Sequence, residues 1–328
     1  MLRNLLTSAL LGNRWSAGAL SQGRVPEMNM RTLRLAGALA CASALQMPMK
    51  MPRSAAGRAE SPRMIGSLFD ILGGAGPQLI EPENALPGRK EKMQINDRHR
   101  VLGTKMDDVP EGHKVAVFAN GCFWGSEKGI WRLPGDGITC TAVGYCAGFT
   151  PNPTYQEACS GATGHTEGVR VVYDPAKISF VDILRWFWEA HDPTSGMRQG
   201  NDVGTQYRSG FYYFDDDQKQ LIEASKAAYE KALGRPITTE IAAAADYDQY
   251  GGLWYFAEAY HQQYLASPGA RPYCSAQPQG ISLPPFDTWA PAALKDAYAP
   301  KLGEDFWKQH APAKGCSVVN SPNEPIVM

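Results

Sequence analysis

One cysteine in this chain lies in a setting that suits nucleophilic chemistry. Cys122 follows a compact apolar stretch at residues 115–119 and precedes a helical pattern over residues 126–133. That order predicts a strand-to-helix turn, where unpaired backbone N–H groups and the helix dipole favour a thiolate. Gly121 and Gly125 permit a tight turn and leave the sulfur accessible. Residue types and spacing alone therefore allow a catalytic thiol, and they equally allow a buried, inert one.

The elements around this cysteine predict an α+β fold. Apolar stretches predict strands over residues 115–119, 138–145, 169–173, 211–214 and 237–241. Helical spacing predicts helices over residues 126–133, from 180, over 216–233 and over 254–266. Ser179 and Asp182 resemble a capping box at the start of the second helix. The order βαββαβ predicts a ferredoxin-like, two-layer mixed sheet with long functional loops and extended terminal arms.

Composition divides the 328 residues into four parts. Residues 1–63 hold nine basic and two acidic residues, so they carry +7 and leave −8 on the rest of a chain with net charge −1. This composition, with an apolar run at 35–49 that is too short to span a bilayer, is typical of a targeting presequence. We expect an organelle, a plastid rather than a mitochondrion, or the cytoplasm if the leader does not function. Residues 64–112 predict an extended arm or linker, 113–285 a catalytic domain, and 286–328 a C-terminal tail.

Charge and cysteine content argue against several classes of protein. A net charge near zero does not suit a protein that coats nucleic acid or an anionic membrane. Seven cysteines are too few for a disulfide scaffold, and an odd number leaves at least one thiol unpaired. The histidines lie in separate motifs without paired ligand spacing, so no metal site is predicted. We expect a monomer without nucleic-acid or membrane partners.

A series of motifs extends over about residues 84 to 285. It includes GCFWG at 121–125, NPTY at 152–155, GHTE at 164–167, GND at 200–202, GTQYR at 204–208 and YHQQYL at 260–265. The series resembles peptide methionine sulfoxide reductase of the A class. The resemblance implies repair of oxidative damage by reduction of the S epimer of methionine sulfoxide, free or in oxidised proteins. It also implies no bound cofactor, with thioredoxin as the electron donor and dithiothreitol as its substitute in vitro.

The resemblance implies five catalytic residues. Cys122 would attack the sulfoxide sulfur, and Glu167 would protonate the departing oxygen. Burial would raise the pKa of that carboxyl and keep it protonated at neutral pH, as a general acid requires. Tyr155 and Tyr207 would hydrogen-bond the oxygen, and Asp202 would help to hold the site.

Three aromatic residues match the substrate site of the same family. Phe123 and Trp124 would hold the methyl group of the substrate, because soft sulfur and aromatic faces attract each other. Tyr273 directly precedes the cysteine that corresponds to the family's first recycling thiol. The resemblance therefore predicts an apolar pocket beside the nucleophile.

Recycling requires a second thiol, because oxygen transfer leaves Cys122 as a sulfenic acid. Cys274 matches the family's resolving position. Many bacterial members have a further cysteine where this chain has Ser282, whereas Cys316, in a late Lys-Gly-Cys, resembles plant members. Cys316 is expected to complete a relay, and a free tail thiol is the alternative. Cys41 lies in the leader, and three cysteines are expected to be structural: Cys140, Cys146 and Cys159.

Two other functions stay open from the residues alone. A cysteine hydrolase would use Cys122 as nucleophile with His165, His191 or His261 as base, and it would need no recycling thiol. A binding module would hold methionine side chains of a partner in the aromatic pocket without turnover.

Overall fold

The strand that precedes Cys122 lies near the middle of a mixed sheet. The structure is a computed structural model and describes residues 76–315 and 317–327. Within these residues the strands are β1 (Lys114–Asn120), β2 (Ile138–Cys146), β3 (Thr166–Tyr173), β4 (Arg198–Gln199), β5 (Asp202–Val203), β6 (Ser209–Tyr213), β7 (Glu240–Ala243) and β8 (Trp254–Phe256). The helices of the same part are α1 (Phe123–Trp131), α2 (Tyr155–Cys159), α3 (Phe180–Glu189), α4 (Asp216–Leu233) and α5 (Glu304–His310).

Six of these strands form one sheet in the order β7-β6-β1-β3-β2-β8. All neighbours in it are antiparallel except β6 and β7, which are parallel. The short strands β4 and β5 pair separately. A mixed α/β fold built on a mixed sheet therefore confirms the predicted fold class in outline, while the ferredoxin-like description of its core stays a prediction.

The helix α3 packs on the sheet through aromatic side chains. Phe118 of β1 lies 5.4 Å from Phe187 of α3 and 5.7 Å from Phe211 of β6, measured between ring centroids. All three rings are fully buried. Burial of large aromatic side chains is a major source of stability, so this cluster fixes the strand that ends two residues before the nucleophile.

Local sequence signals account for the bounds of two helices. The capping box predicted for α3 is present, since Asp182 accepts a hydrogen bond from the Ser179 backbone N–H at 3.0 Å and Ser179 Oγ accepts one from Val181 N–H. The helix α4 has the predicted bounds and ends at Gly234, whose φ of 70° is left-handed.

The helix predicted over residues 254–266 is wrong. Trp254–Phe256 form β8 and pair with the last residues of β2. The chain then turns, and the Gln262 side chain bonds both the N–H and the C=O of Val143 at 3.0 and 2.9 Å. Gln263 follows with a left-handed φ of 48°. The open edge of β2 needed hydrogen-bond partners, and this need outweighed the helical spacing.

Residues 317–327 of the tail lie along α1. Lys128 Nζ donates to Ser321 O at 2.8 Å, and Trp131 Nε1 donates to Asn323 O at 2.8 Å. Ile326 N–H adds a hydrogen bond to the C=O of Arg132, directly after the helix. The tail is therefore attached to the helix that begins after Cys122.

Several predictions fall outside the described part of the chain. These are the presequence at 1–63, the start of the arm up to residue 75, and the thiol of Cys316. Within the described residues, no helix is long and apolar enough to cross a bilayer.

Candidate active site

Cys122 occupies the turn between β1 and α1, where the sequence predicted it. It is the N-cap residue of α1 and is only 6% exposed. The preceding Gly121 has a φ of 95°, and a Cβ atom there would lie 2.6 Å from the Gln199 side chain. Only glycine fits this turn, because the backbone is left-handed and the space is filled.

Burial dominates the electrostatics of the nucleophile. It raises the pKa of the Cys122 thiol well above the ordinary value, and the charges of Glu167 and Asp202 act in the same direction. The backbone N–H groups of Trp124 and Gly125 oppose this shift by stabilising the thiolate. The helix terminus thus acts as the sequence predicts, but burial outweighs it.

A protonated carboxyl lies against the same turn. Glu167 stands on β3 opposite Tyr145 of β2 and is 3% exposed. Its Oε2 accepts a hydrogen bond from the Phe123 backbone N–H at 3.1 Å. Burial raises the pKa of Glu167 to about 8, with a further contribution from Asp202. The carboxyl is therefore mostly neutral at pH 7 and can donate a proton beside the nucleophile.

A tyrosine joins the segment of Cys274 to the site. The Tyr273 hydroxyl donates a short hydrogen bond to Asp202 Oδ1. Burial, and then Asp202, raise the pKa of Tyr273. Asp202 Oδ2 is also buried and has no hydrogen-bond partner among the described residues. This oxygen is an acceptor that the protein leaves open to a ligand.

Four rings form a surface that we call the aromatic wall: Phe123, Trp124, His261 and Tyr264. The Trp124 indole stacks on Tyr264 with ring centroids 4.0 Å apart, and its Nε1 donates to His261 Nδ1 at 3.2 Å. The Phe123 ring lies 5.3 Å from His261. Burial lowers the pKa of His261 to about 4, so this imidazole is neutral and serves as an acceptor.

The two predicted tyrosines occupy different loops. Tyr155 begins α2, which a capping box of Thr154 and Glu157 initiates, and its ring lies 4.8 Å from His261. Tyr207 is buried in the loop between β5 and β6. The next residue, Arg208, anchors that loop through an ion pair with Glu240 at 2.8 Å. The structure thus brings Tyr155 to the aromatic wall and buries Tyr207 in an anchored loop.

Two polar residues that hold the site were missed from the sequence. Glu258 accepts hydrogen bonds from the Tyr145 hydroxyl at 2.7 Å and from Tyr155 N–H at 2.9 Å. Gln199 Oε1 accepts hydrogen bonds from the backbone N–H groups of Asp192 and Gln277, both at 3.1 Å. The motif YHQQYL at 260–265 lies next to Glu258 in the sequence, but the spacing of residues does not predict contacts between positions this far apart in the chain.

The cysteines fall into distinct states. Cys122, Cys140 and Cys146 are reduced thiols, whereas Cys274 is disulfide-bonded. Burial raises the pKa of Cys140 to about 12 and raises that of Cys146 further, which makes both poor nucleophiles. No group of three or more His, Cys, Asp or Glu side chains in the described part could hold a metal ion.

A buried cysteine at a helix terminus, a neutral carboxyl beside it and a second cysteine that forms a disulfide are the parts that a thiol-dependent redox enzyme requires. Comparison with known proteins agrees with this class. The family model of peptide methionine sulfoxide reductase matches residues 114–283. The chain belongs to this family, in its A class, and is an oxidoreductase that acts on sulfur groups.

Individual relatives support the same assignment. Peptide methionine sulfoxide reductase MsrA of Salinispora arenicola is 53% identical over 215 residues, which cover 63% of this chain and 93% of the relative. MsrA 1 of Synechocystis is 48% identical over 221 residues, which cover 66% of this chain and 95% of the relative. The solved structure of methionine sulfoxide reductase A of Corynebacterium diphtheriae has a TM-score of 0.54 and 39% identity, and the match covers 63% of this chain and 98% of that one.

Proposed function

We propose that the protein reduces the S epimer of methionine sulfoxide, in oxidised proteins and as the free amino acid, with Cys122 as nucleophile and Glu167 as acid. The hydrogen bond from Phe123 N–H to Glu167 carries this proposal, because it holds a buried, neutral carboxyl next to the thiol. The Cys122 sulfur attacks the sulfoxide sulfur, and Glu167 protonates the oxygen. The sulfoxide is reduced to methionine, and Cys122 is oxidised to a sulfenic acid.

The aromatic wall binds the substrate's methyl group in this proposal. Phe123 and Trp124 face it, since thioether groups pack favourably on aromatic rings. Tyr155 and Tyr207 hydrogen-bond the sulfoxide oxygen, and the open oxygen of Asp202 accepts from a donor of the substrate or of a water molecule. The four central strands, with α1 and α3 between them, would then form the ferredoxin-like βαββαβ core that carries the site.

A hydrolase is less well supported by the histidines. The Nδ1 of His261 is occupied by Trp124, and burial lowers its pKa to about 4. Burial also lowers the pKa of His165 to about 3 and that of His191 to about 4. Each would be a weak base at neutral pH.

Recycling proceeds through a relay of three thiols. Cys274 attacks the sulfenic sulfur of Cys122, which releases water and leaves a disulfide. The Cys316 thiol then attacks Cys274, which returns Cys122 to a thiol, and thioredoxin reduces the last disulfide. Cys274 forms a disulfide in the structure, as the resolving and relay steps require of this residue.

Two described residues that lie near position 316 in the sequence also support the relay. Ala313 and Ser317 line a small cavity together with Ala276 and with Gly125 and Ser126 of α1. The residues on both sides of Cys316 therefore lie close to the segment of Cys274 and to the turn of Cys122.

Turnover of each epimer tests the proposal. We expect the wild type to consume the S epimer with dithiothreitol or thioredoxin, and Cys122→Ser to be inactive. Cys316→Ser should keep the dithiothreitol-dependent rate and lose most of the thioredoxin-dependent rate, and mass spectrometry should find Cys274 bonded to Cys316 after one turnover. A wild type that spares the S epimer would contradict the function, whereas an unimpaired Cys316→Ser would contradict only the relay.

The leader and the partners belong to the same proposal. Residues 1–63 direct the protein to a plastid, where thioredoxin serves as its reductant, and the enzyme acts as a monomer without a bound cofactor. A fluorescent fusion of residues 1–63 tests the address. A cytoplasmic signal would contradict it.

A further inference from the structure

We propose that Glu127 is a positioning residue that fixes the aromatic wall and thereby sets the preference for a methyl sulfoxide. The inference rests on the proposed function, in which Trp124 contacts the substrate's methyl group. Glu127 lies on α1, three residues after Trp124, and does not itself reach the substrate in this proposal.

Glu127 holds one residue at two points. The side chain is completely buried, and its carboxylate accepts hydrogen bonds from Gln263 N–H at 2.9 Å and from Gln263 Nε2 at 2.6 Å. A third bond comes from Thr141 Oγ1 at 3.1 Å. Backbone and side chain of Gln263 are therefore both fixed by the same carboxylate.

Gln263 needs such fixing because its backbone is left-handed. Its φ of 48° is uncommon for a residue with a side chain and persists only where the surroundings determine it. The two hydrogen bonds from Gln263 to Glu127 stabilise this left-handed conformation. Without them we expect the loop to relax toward an ordinary backbone conformation.

The neighbours of Gln263 hold the indole of the pocket. His261 accepts the Trp124 Nε1 hydrogen, and Tyr264 stacks on the Trp124 face at 4.0 Å. Edge and face of the same indole are thus held by residues on either side of Gln263. Rotation of this loop would turn the Trp124 ring and change the width of the pocket for the substrate's alkyl group.

The donors around Glu127 all point toward it. His99 Nδ1 accepts from the N–H groups of Val101 and Leu102 at 3.2 and 3.0 Å, so its Nε2 carries the hydrogen. That Nε2 donates to Thr141 Oγ1 at 2.8 Å, which leaves the Thr141 hydroxyl hydrogen for Glu127. An amide in place of the carboxylate would set one of its own donors against these donors.

Glu127→Gln tests the proposal, with Asp182→Asn as a matched control. Asp182 is also buried and accepts three backbone N–H bonds, from Ser179, Lys301 and Leu302, none of which belongs to the aromatic wall. Both variants lose a buried carboxylate of similar bonding. A general loss of stability would therefore appear in both variants, whereas a change in the aromatic wall should appear only in Glu127→Gln.

The readout is the ratio of kcat/KM for methionine S-sulfoxide to that for ethionine S-sulfoxide, measured with dithiothreitol at pH 8. Burial raises the pKa of Glu127 to about 7, so the wild-type carboxylate is mostly ionised at this pH.

One methylene group in an apolar pocket changes kcat/KM by about 10- to 200-fold. We expect Glu127→Gln to lower the ratio about fivefold and to raise KM for methionine sulfoxide about tenfold. Iodoacetamide should alkylate Cys122 of the Glu127→Gln variant at the same rate as Cys122 of the wild type.

Amide exchange gives a readout that does not depend on turnover. Peptides covering residues 258–266 should exchange faster in Glu127→Gln and unchanged in Asp182→Asn. If Glu127→Gln does not fold, Gln263→Met is the second variant. It removes the side-chain bonds of Gln263 to Glu127, Arg100 N–H and Thr141 O, keeps the backbone bond to Glu127, and should shift the ratio in the same direction.

An unchanged substrate ratio, an unchanged exchange rate or an equal effect of Asp182→Asn would each overturn the inference. An inactive wild type would instead remove the proposed function, and the exchange experiment would still report whether Glu127 anchors the loop.

Discussion

Replacing Glu167 with glutamine removes a proton donor and keeps the shape of the side chain. The amide oxygen can still accept the hydrogen bond from Phe123 N–H that Glu167 Oε2 accepts at 3.1 Å. The amide cannot release a proton to the sulfoxide oxygen. We therefore expect substrate binding to be preserved and the oxygen-transfer step to slow.

The expected loss of rate in Glu167→Gln follows from the fraction of Glu167 that is protonated at pH 7. With a pKa of about 8, about nine-tenths of Glu167 is neutral at pH 7, against about 0.3% for a carboxyl with the ordinary value of 4.5. Burial thus raises the population of the acid about 300-fold. General acids accelerate their step by about 10²- to 10⁴-fold, so we expect a loss in that range.

Single-turnover kinetics measure this step without the recycling thiols. Reduced enzyme is mixed with methionine S-sulfoxide in the absence of reductant, and methionine is quantified after rapid quenching. The ratio of the wild-type to the Glu167→Gln rate removes most of the pH dependence that both proteins share. It should fall about tenfold between pH 7 and pH 9, because the neutral fraction of a group with a pKa of about 8 falls by this factor.

A control separates loss of the acid from loss of the nucleophile. At pH 9 the wild-type Glu167 carboxylate raises the pKa of Cys122, so Glu167→Gln should be alkylated by iodoacetamide at least as fast as the wild type. A single-turnover rate within about threefold of the wild type at pH 7 would refute the role of Glu167 as acid, since general acid catalysis contributes far more.

Further predictions concern the turn and the tail. Gly121→Ala should lower the free energy of unfolding by about 2–4 kcal/mol in urea titrations, because its Cβ would lie 2.6 Å from Gln199 at a φ of 95°. Gly303→Ala, where a Cβ meets open space, should differ little, and equal losses would contradict this account. Lys128→Met removes two hydrogen bonds to the tail and should slow thioredoxin-dependent turnover several-fold at an unchanged single-turnover rate. Exposed Lys308→Met is its control, and a normal rate for Lys128→Met would argue against a role of the tail in recycling.

Local signals in the sequence were sufficient for part of the fold. The capping residues Ser179 and Asp182 and the glycine after α4 act within a few residues of their own position, so the sequence reveals them directly. The motif of Gly121 and Cys122 likewise predicts its own turn. These elements required no knowledge of distant contacts.

The features of the fold and of the site that the sequence did not predict depend on contacts between distant parts of the chain. The segment at 254–266 has helical spacing, but the edge of β2 recruits Trp254–Phe256 as a strand. The acceptor roles of Glu258 and Gln199 involve partners that the sequence does not indicate. Burial of Cys122 is of the same kind, since the pKa of this thiol depends on residues such as Glu167 that fold over it.

The attachment of the tail to α1 has a practical consequence for protein engineering. Deleting residues 321–327 would leave the ammonium of the buried Lys128 without Ser321 O and Asn323 Oδ1 as acceptors, and would uncover the Trp131 indole. Both changes would fall on the helix that begins after Cys122. A protein that is shortened or tagged at its C-terminal side would therefore resemble a catalytic mutant although its active-site residues are unchanged.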